Sequence, residues 1–244
     1  MQRTLKLALL LSLSLLTGCA NNQKTIVVGA SSTPHALILE QAKEYVASKG
    51  YTLDVRVFND YVLPNYALEN EELDANYFQH EPYLNTFNES NGTHLVSVFK
   101  VHFEPMGIYQ GTKAALESYT YNDKIIVPSD LSNYNRAMDL LKECGMDTCT
   151  NIVQVEAQMI PMMLQDCAYA VINGNYALSS GVIEKCLYTE NKDSDIANTM
   201  ANIIAVKEGN QETEKTKVLI DALKQDKVKQ YIINTFGSSV IPMF

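Results

Sequence analysis

From Thr25 onward, short runs rich in β-branched and apolar residues alternate with segments whose apolar residues recur at helical spacing. Runs of four to nine such residues read as strands, and the longer periodic segments read as helices. The spacing predicts strands over 26–30, 52–58, 75–78, 95–103, 124–127, 152–155, 168–172 and 201–206. It predicts helices over about 34–48, 62–70, 81–89, 132–144, 160–165 and 175–185, with two more inside 211–236. Strand–helix alternation of this kind indicates an α/β fold of parallel sheets covered by helices. The series stops near Pro105 and starts again at Lys124, which suggests two small lobes. No repeat or Gly/Ser-rich linker separates them, so extended crossovers near 103–107 and 198–201 are expected. The expected division is 26–104 with 203–244 for the first lobe and 105–202 for the second.

The N-terminus sets the compartment. Arg3 and Lys6 precede an apolar stretch of ten residues, Leu7–Leu16. A spanning helix needs about 20 apolar residues, so this stretch reads as the core of a secretion signal over 1–18. Leu16-Thr17-Gly18-Cys19 resembles the bacterial lipoprotein processing box, in which the cysteine sulfur receives a diacylglycerol. A polar tether over 19–25 would follow the anchor. The expected location is the cell envelope, lipid-anchored to the membrane on its extracytoplasmic face. The processed chain, Cys19–Phe244, has 226 residues, and losing Arg3 and Lys6 leaves 17 basic against 28 acidic residues, a net charge of −11. An acidic surface with no basic stripe argues against nucleic acid as a partner.

Four further cysteines, Cys144, Cys149, Cys167 and Cys186, permit two disulfides in an exported chain. Pairing Cys144 with Cys149 and Cys167 with Cys186 closes the smallest loops; free buried thiols are the alternative. The spacing of the four does not suit a metal site. The histidines, His35, His80, His94 and His102, are scattered and could share a metal only if folding assembled them. No Gly-x-Ser-x-Gly, phosphate-cradling Gly-rich loop or His-Glu-x-x-His is present, so nothing in the sequence points to an enzyme.

Ligands of open α/β sheets sit at the carboxyl ends of strands, and several polar and aromatic residues fall there. Phe78 and His80 share a face if their strand persists. His80 and Tyr83 share one if a helix starts at His80. Local pattern alone equally allows Phe78 and Tyr83 in the core and His80 as a cap. Arg136 is read into the first turn of a helix, where its guanidinium would offer a planar fork to a carboxylate or lie solvated on the surface. Asn173 closes one strand and Asn202 opens another. Each could accept a hydrogen bond from an ammonium or serve as an ordinary turn residue.

These residues sit inside segments that together resemble the methionine-binding lipoprotein (NlpA-type) family of ABC-importer receptors. The likeness runs through Val28-Gly29-Ala30-Ser31 with Pro34-His35, Phe58 to Asn65, Asp74 to Leu84, and His102-Phe103-Glu104-Pro105-Met106-Gly107. It continues in Val127-Pro128 with Arg136, Ala170 to Ala177, and Ala201-Asn202-Ile203, covering nearly the whole processed chain. The resemblance implies a two-lobed periplasmic-binding-protein-like fold (type II) with the ligand cleft between the lobes. It implies a monomer without cofactor or metal that captures methionine and hands it to the permease and ATPase subunits of an ABC importer. Carried over residue by residue, it makes Arg136 the clamp on the ligand carboxylate and Asn173 and Asn202 the partners of its amino end. Tyr61, Phe78, His80 and Tyr83 become the pocket for the thioether. Another apolar amino acid, a short methionine-containing peptide, or a metal are the competing ligands. Two departures stand out: the stretch from Arg136 to Asn173 is shorter than the family pattern, and Met159–Leu164 is unusually rich in methionine. That methionine-rich stretch is expected in the core, the pocket floor being the alternative.

Overall fold

The computed structural model describes residues 24–193 and 195–244. The leader read over 1–18 and the acceptor Cys19 lie outside the described residues. Eleven strands form among the described residues: β1 Lys24–Ser31, β2 Tyr51–Phe58, β3 Ala75–His80, β4 Leu95–Phe103, β5 Gly107–Gln110, β6 Lys124–Pro128, β7 Asn151–Val155, β8 Tyr169–Ile172, β9 Cys186–Thr189, β10 Asn202–Lys207 and β11 Ile241–Pro242. They pair into two sheets, one in the order β11-β4-β10-β3-β1-β2 and the other β7-β6-β8-β5-β9. The chain passes from the first sheet to the second over 104–106, and back over 190–201.

Helices cover the faces of both sheets. They are α1 Leu37–Ser48, α2 Leu63–Glu69, α3 Glu81–Asn91, α4 Leu131–Glu143, α5 Gly174–Ser179, α6 Asp195–Thr199, α7 Glu214–Leu223 and α8 Asp226–Phe236. In α1 the apolar residues Ile38, Leu39, Ala42 and Val46 recur on one stripe, and all four are fully buried. They pack with Val28 and Ala30 of β1 and with Leu219 and Leu223 of α7, which is why this periodicity forms a helix against the sheet. Asp130 caps α4 by accepting the Asn133 N–H at 2.9 Å, satisfying a backbone donor that a helix start leaves free. Gly92 ends α3 in the left-handed region at φ 67°, a conformation that glycine adopts without steric penalty.

The α/β class and the two-lobed architecture agree with the sequence, but the sheets are mixed rather than parallel. β10 runs antiparallel to both β3 and β4, and β5 runs antiparallel to both β8 and β9. β5 follows the first crossing and β10 follows the second, so the connections between sheets set the reversed directions. The 157–166 segment is a run of tight 3₁₀ turns interrupted by Pro161. Its methionines are not uniformly core: Ile160, Pro161 and Leu164 are buried, whereas Met162 is 69% exposed. The helix read over 175–185 stops at Ser179, and its end turns into β9. Disulfides are likewise corrected, since all four described cysteines carry free thiols. Cys149 donates to the Asp123 carbonyl at 3.1 Å and Cys186 to the Tyr188 carbonyl at 3.3 Å, while Cys144 and Cys149 pack on the core of the second sheet as small apolar groups.

The packing of α1 on the first sheet should dominate the stability of that lobe. Leu39→Ala is expected to cost about 2–5 kcal/mol, read as a lower urea midpoint with an unchanged slope.

Candidate functional site

Every residue of β3 is buried, and strand alternation puts Phe78 and His80 on the same face. His80 ends the strand and caps α3, its Nδ1 accepting the Tyr83 N–H at 3.2 Å. With Nδ1 an acceptor, Nε2 carries the ring proton and donates to Asn133 Oδ1 of α4 at 3.1 Å. Burial, reinforced by the nearby Arg136 charge, pushes the His80 pKa down to about 3, so the imidazole is neutral. Tyr61, in the loop after β2, lies 5.7 Å from the Phe78 ring, 5.8 Å from Tyr83 and 4.9 Å from Tyr176 of α5. Its hydroxyl donates to Asn175 Oδ1 at 2.6 Å, and the Tyr83 hydroxyl donates to the Tyr61 carbonyl at 3.0 Å. The result is a polarizable aromatic wall assembled from both sheets.

Arg136 falls in the second turn of α4, not the first, because the helix already starts at Leu131. It is only 4% exposed, which removes the solvated alternative. The fork expected for a ligand is partly taken by the protein. Nε donates to Glu190 Oε1 at 2.7 Å and Nη2 to Glu190 Oε2 at 2.5 Å, while Nη2 also donates to the Glu104 carbonyl at 2.9 Å. Glu190 Oε2 in turn accepts the Met106 N–H at 2.7 Å. The guanidinium is thereby fixed to both crossings between the sheets, and these contacts leave Nη1 over for another acceptor.

All seven residues singled out by resemblance, Tyr61, Phe78, His80, Tyr83, Arg136, Asn173 and Asn202, line one pocket. Its lining combines aromatic side chains, Tyr61, Phe78 and Tyr83, with polar ones. Asn173 donates from Nδ2 to Asn133 Oδ1 at 2.8 Å, but its own Oδ1 is buried without a protein partner. A bare buried carbonyl is costly, so this atom asks for a donor. The sequence reading missed Gln79, Glu104, Asn133, Gly174 and Asn175 in the lining, and Glu190 behind it. The cap at Asp130 was detectable as a helix-start signal, but nothing local marks Asn133 itself. Glu190 lies in no motif at all.

Two of the scattered histidines do converge. His35 Nε2, His102 Nε2 and a Glu104 carboxylate oxygen lie within 4.8 Å of one another, all buried. His102 Nε2 stands 2.6 Å from Glu104 Oε1, and His35 Nε2 is 2.9 Å from Asn202 Oδ1. The ligating atoms of this trio are thus engaged in hydrogen bonds with one another and with Asn202. His80 is apart from them, and His94 is exposed beside Glu69 at 3.5 Å.

Burial lowers the His35 pKa to about 4 and the His102 pKa to about 3, as it does for His80. The unfolded chain therefore takes up protons first as the pH falls, near the ordinary histidine value of about 6.5. Stability is fully present above that value and is lost as the pH falls from about 6.5 towards 4. The melting temperature is expected to drop steadily over that window in a thermal scan; a flat profile down to pH 4.5 would contradict the neutral burial of these rings.

Known proteins place this geometry. The family model described as NlpA lipoprotein matches residues 26–151 and 150–244. The methionine-binding lipoprotein MetQ of Bacillus subtilis is 34% identical over 249 residues, covering 93% of this chain and 90% of its own. A solved ABC transporter periplasmic substrate-binding protein from Coxiella burnetii superposes with a TM-score of 0.82 at 33% identity, covering 89% of this chain and 99% of its own. A nutrient-binding protein from Burkholderia cenocepacia, solved bound to methionine, gives a TM-score of 0.83 at 30% identity, covering 90% of this chain and 100% of its own. The chain belongs to the NlpA lipoprotein family.

Proposed function

We propose that this protein captures free methionine outside the cytoplasm and delivers it to an ABC importer, making and breaking no covalent bond. The observation that carries the reading is one pocket whose lining joins the aromatic Tyr61, Phe78 and Tyr83 to Arg136, Asn173 and Asn202. A zwitterion with an apolar tail is complementary to that layout. In this reading Arg136, through Nη1, holds the α-carboxylate. Asn173 and Asn202 take the α-amino end, and Tyr61, Phe78, His80 and Tyr83 enclose the thioether. A sulfur against aromatic edges gains about 0.3–1.5 kcal/mol per contact, which favours methionine over an aliphatic side chain of similar length. The names of the relatives support both methionine and the importer.

The lobes 26–104 with 203–244 and 105–202 would close on the ligand by bending at the two crossings. The anchor is assigned to Cys19, holding a monomer at the extracytoplasmic face within reach of the permease and its ATPase. Closure excludes water, which strengthens the charged contact to Arg136.

Mass spectrometry of small molecules released on denaturing the purified protein is expected to identify methionine. Calorimetry should show methionine bound more tightly than leucine, norleucine or glycyl-methionine, with affinity that survives strong chelators. Removing one partner of a buried charged contact costs about 2–5 kcal/mol, roughly 30-fold to several thousand-fold in affinity. Arg136→Ala should therefore abolish useful binding, while Lys142→Ala, on the exposed face of the same helix, should leave it intact. Similar dissociation constants for the two variants would refute the clamp.

A further inference from the structure

Glu104 is the one carboxylate that lines the pocket, and the assignments above give it no work. It is 4% exposed and sits in the first crossing between the sheets, two residues beyond His102 of β4. A carboxylate can only accept hydrogen bonds, so the 2.6 Å contact to His102 Nε2 requires the proton on that nitrogen. His102 Nδ1 is then an acceptor, and its close contact with the Tyr77 hydroxyl must be donated by Tyr77. His35 obeys the same logic. Its Nε2 faces Asn202 Oδ1 at 2.9 Å and Glu104 Oε1 at 3.4 Å, two acceptors, so Nε2 carries the proton. The remaining nitrogen, Nδ1, is accordingly bare and without a partner. Both rings are neutral in this arrangement, a state that burial also favours.

A charge imbalance follows. Arg136 and Glu190 neutralise each other through two hydrogen bonds. Glu104 then accepts from neutral donors, His102 and the Asn175 backbone amide among them, and burial pushes its pKa up although the Arg136 charge opposes this, so the carboxylate form lacks a full counter-charge. Burying a carboxylate without a cation is unfavourable. Beside it in the same lining stand Asn173, whose Oδ1 has no donor, and Asn202. The fold also keeps this corner narrow: a Cβ at Gly174 would sit 2.8 Å from the Glu104 Cβ and 3.1 Å from Oε2, so only glycine lets α5 approach the carboxylate. Three acceptors with one unit of negative charge match the three N–H donors of a primary ammonium.

We propose that Glu104 is the counter-ion of the ligand's α-ammonium, that Asn173 and Asn202 complete its cage, and that the Tyr77–His102 chain orients the carboxylate. This rests on the amino-acid reading above and deepens it. The site selects ligands with a free, protonated amino group, and it rejects N-acylated and deaminated analogues because they leave the carboxylate uncompensated.

The test is calorimetry with methionine, N-acetylmethionine and 4-(methylsulfanyl)butanoate, which lacks the amino group, on the wild-type chain and on Glu104→Gln. Wild-type protein should prefer methionine to the deaminated acid by about 30-fold or more. In Glu104→Gln that ratio should collapse, with methionine weakened and the deaminated acid unchanged or tighter, a pattern that mere loss of stability does not produce. If the wild type binds both ligands equally, the inference is overturned without reference to any variant, so a poorly folding Glu104→Gln does not protect it. A ratio preserved in a folded Glu104→Gln also overturns it while leaving methionine capture standing. Failure of the wild type to bind methionine at all removes that reading and the inference together.

Discussion

The buried pair between Arg136 and Glu190 holds the centre of the molecule together. It joins a helix of the second lobe to the chain returning toward the first, and through the Glu104 carbonyl and the Met106 amide it also fixes the outgoing chain. A guanidinium this deeply buried needs its charge met and its donors satisfied. Glu190 meets the charge and, with the Glu104 carbonyl, takes the Nε and Nη2 donors, and the two crossings are consequently held side by side. The pocket lies against this junction, since Arg136 and Glu104 also line it.

Most of the fold could be read from the sequence because its elements are long and periodic. The β4 strand, 95–103, was predicted with its observed limits, and α1 and β2 differ from prediction by a few residues. What escaped were elements too short for periodicity to register, β5, β9 and β11 of two to four residues and the five-residue α6. The sheets were misread as parallel for a related reason. Strand direction in β5 and β10 follows from the crossings, where the chain changes sheets, and no local pattern encodes that. The disulfide expectation rested on loop length and compartment. It lost to side chains that pack as apolar groups or donate to carbonyls.

The pocket was legible in a different way. Tyr61, Phe78, His80, Tyr83, Arg136, Asn173 and Asn202 were each ambiguous alone, and only the family likeness brought them to one place. Their convergence in one lining follows from strand ends facing each other across two sheets. Glu104, Asn175 and Glu190 were not legible. A buried carboxylate in a crossing looks like any surface acid in sequence, and only the hydrogen-bond ledger around it reveals the charge it leaves over. The histidines illustrate the same limit. His35 and His102 are separated by 67 positions, yet their rings sit 5.0 Å apart.

Some of the contacts that span the two lobes are made by the protein alone. Tyr61 reaches Asn175 at 2.6 Å, and His80 reaches Asn133 at 3.1 Å. Their contribution to holding the lobes shut is the same whichever molecule lies between them, so it cancels when two ligands are compared. It strengthens retention without sharpening choice. Discrimination is thereby confined to the contacts that a guest itself makes, whereas these two bridges set how long any guest stays.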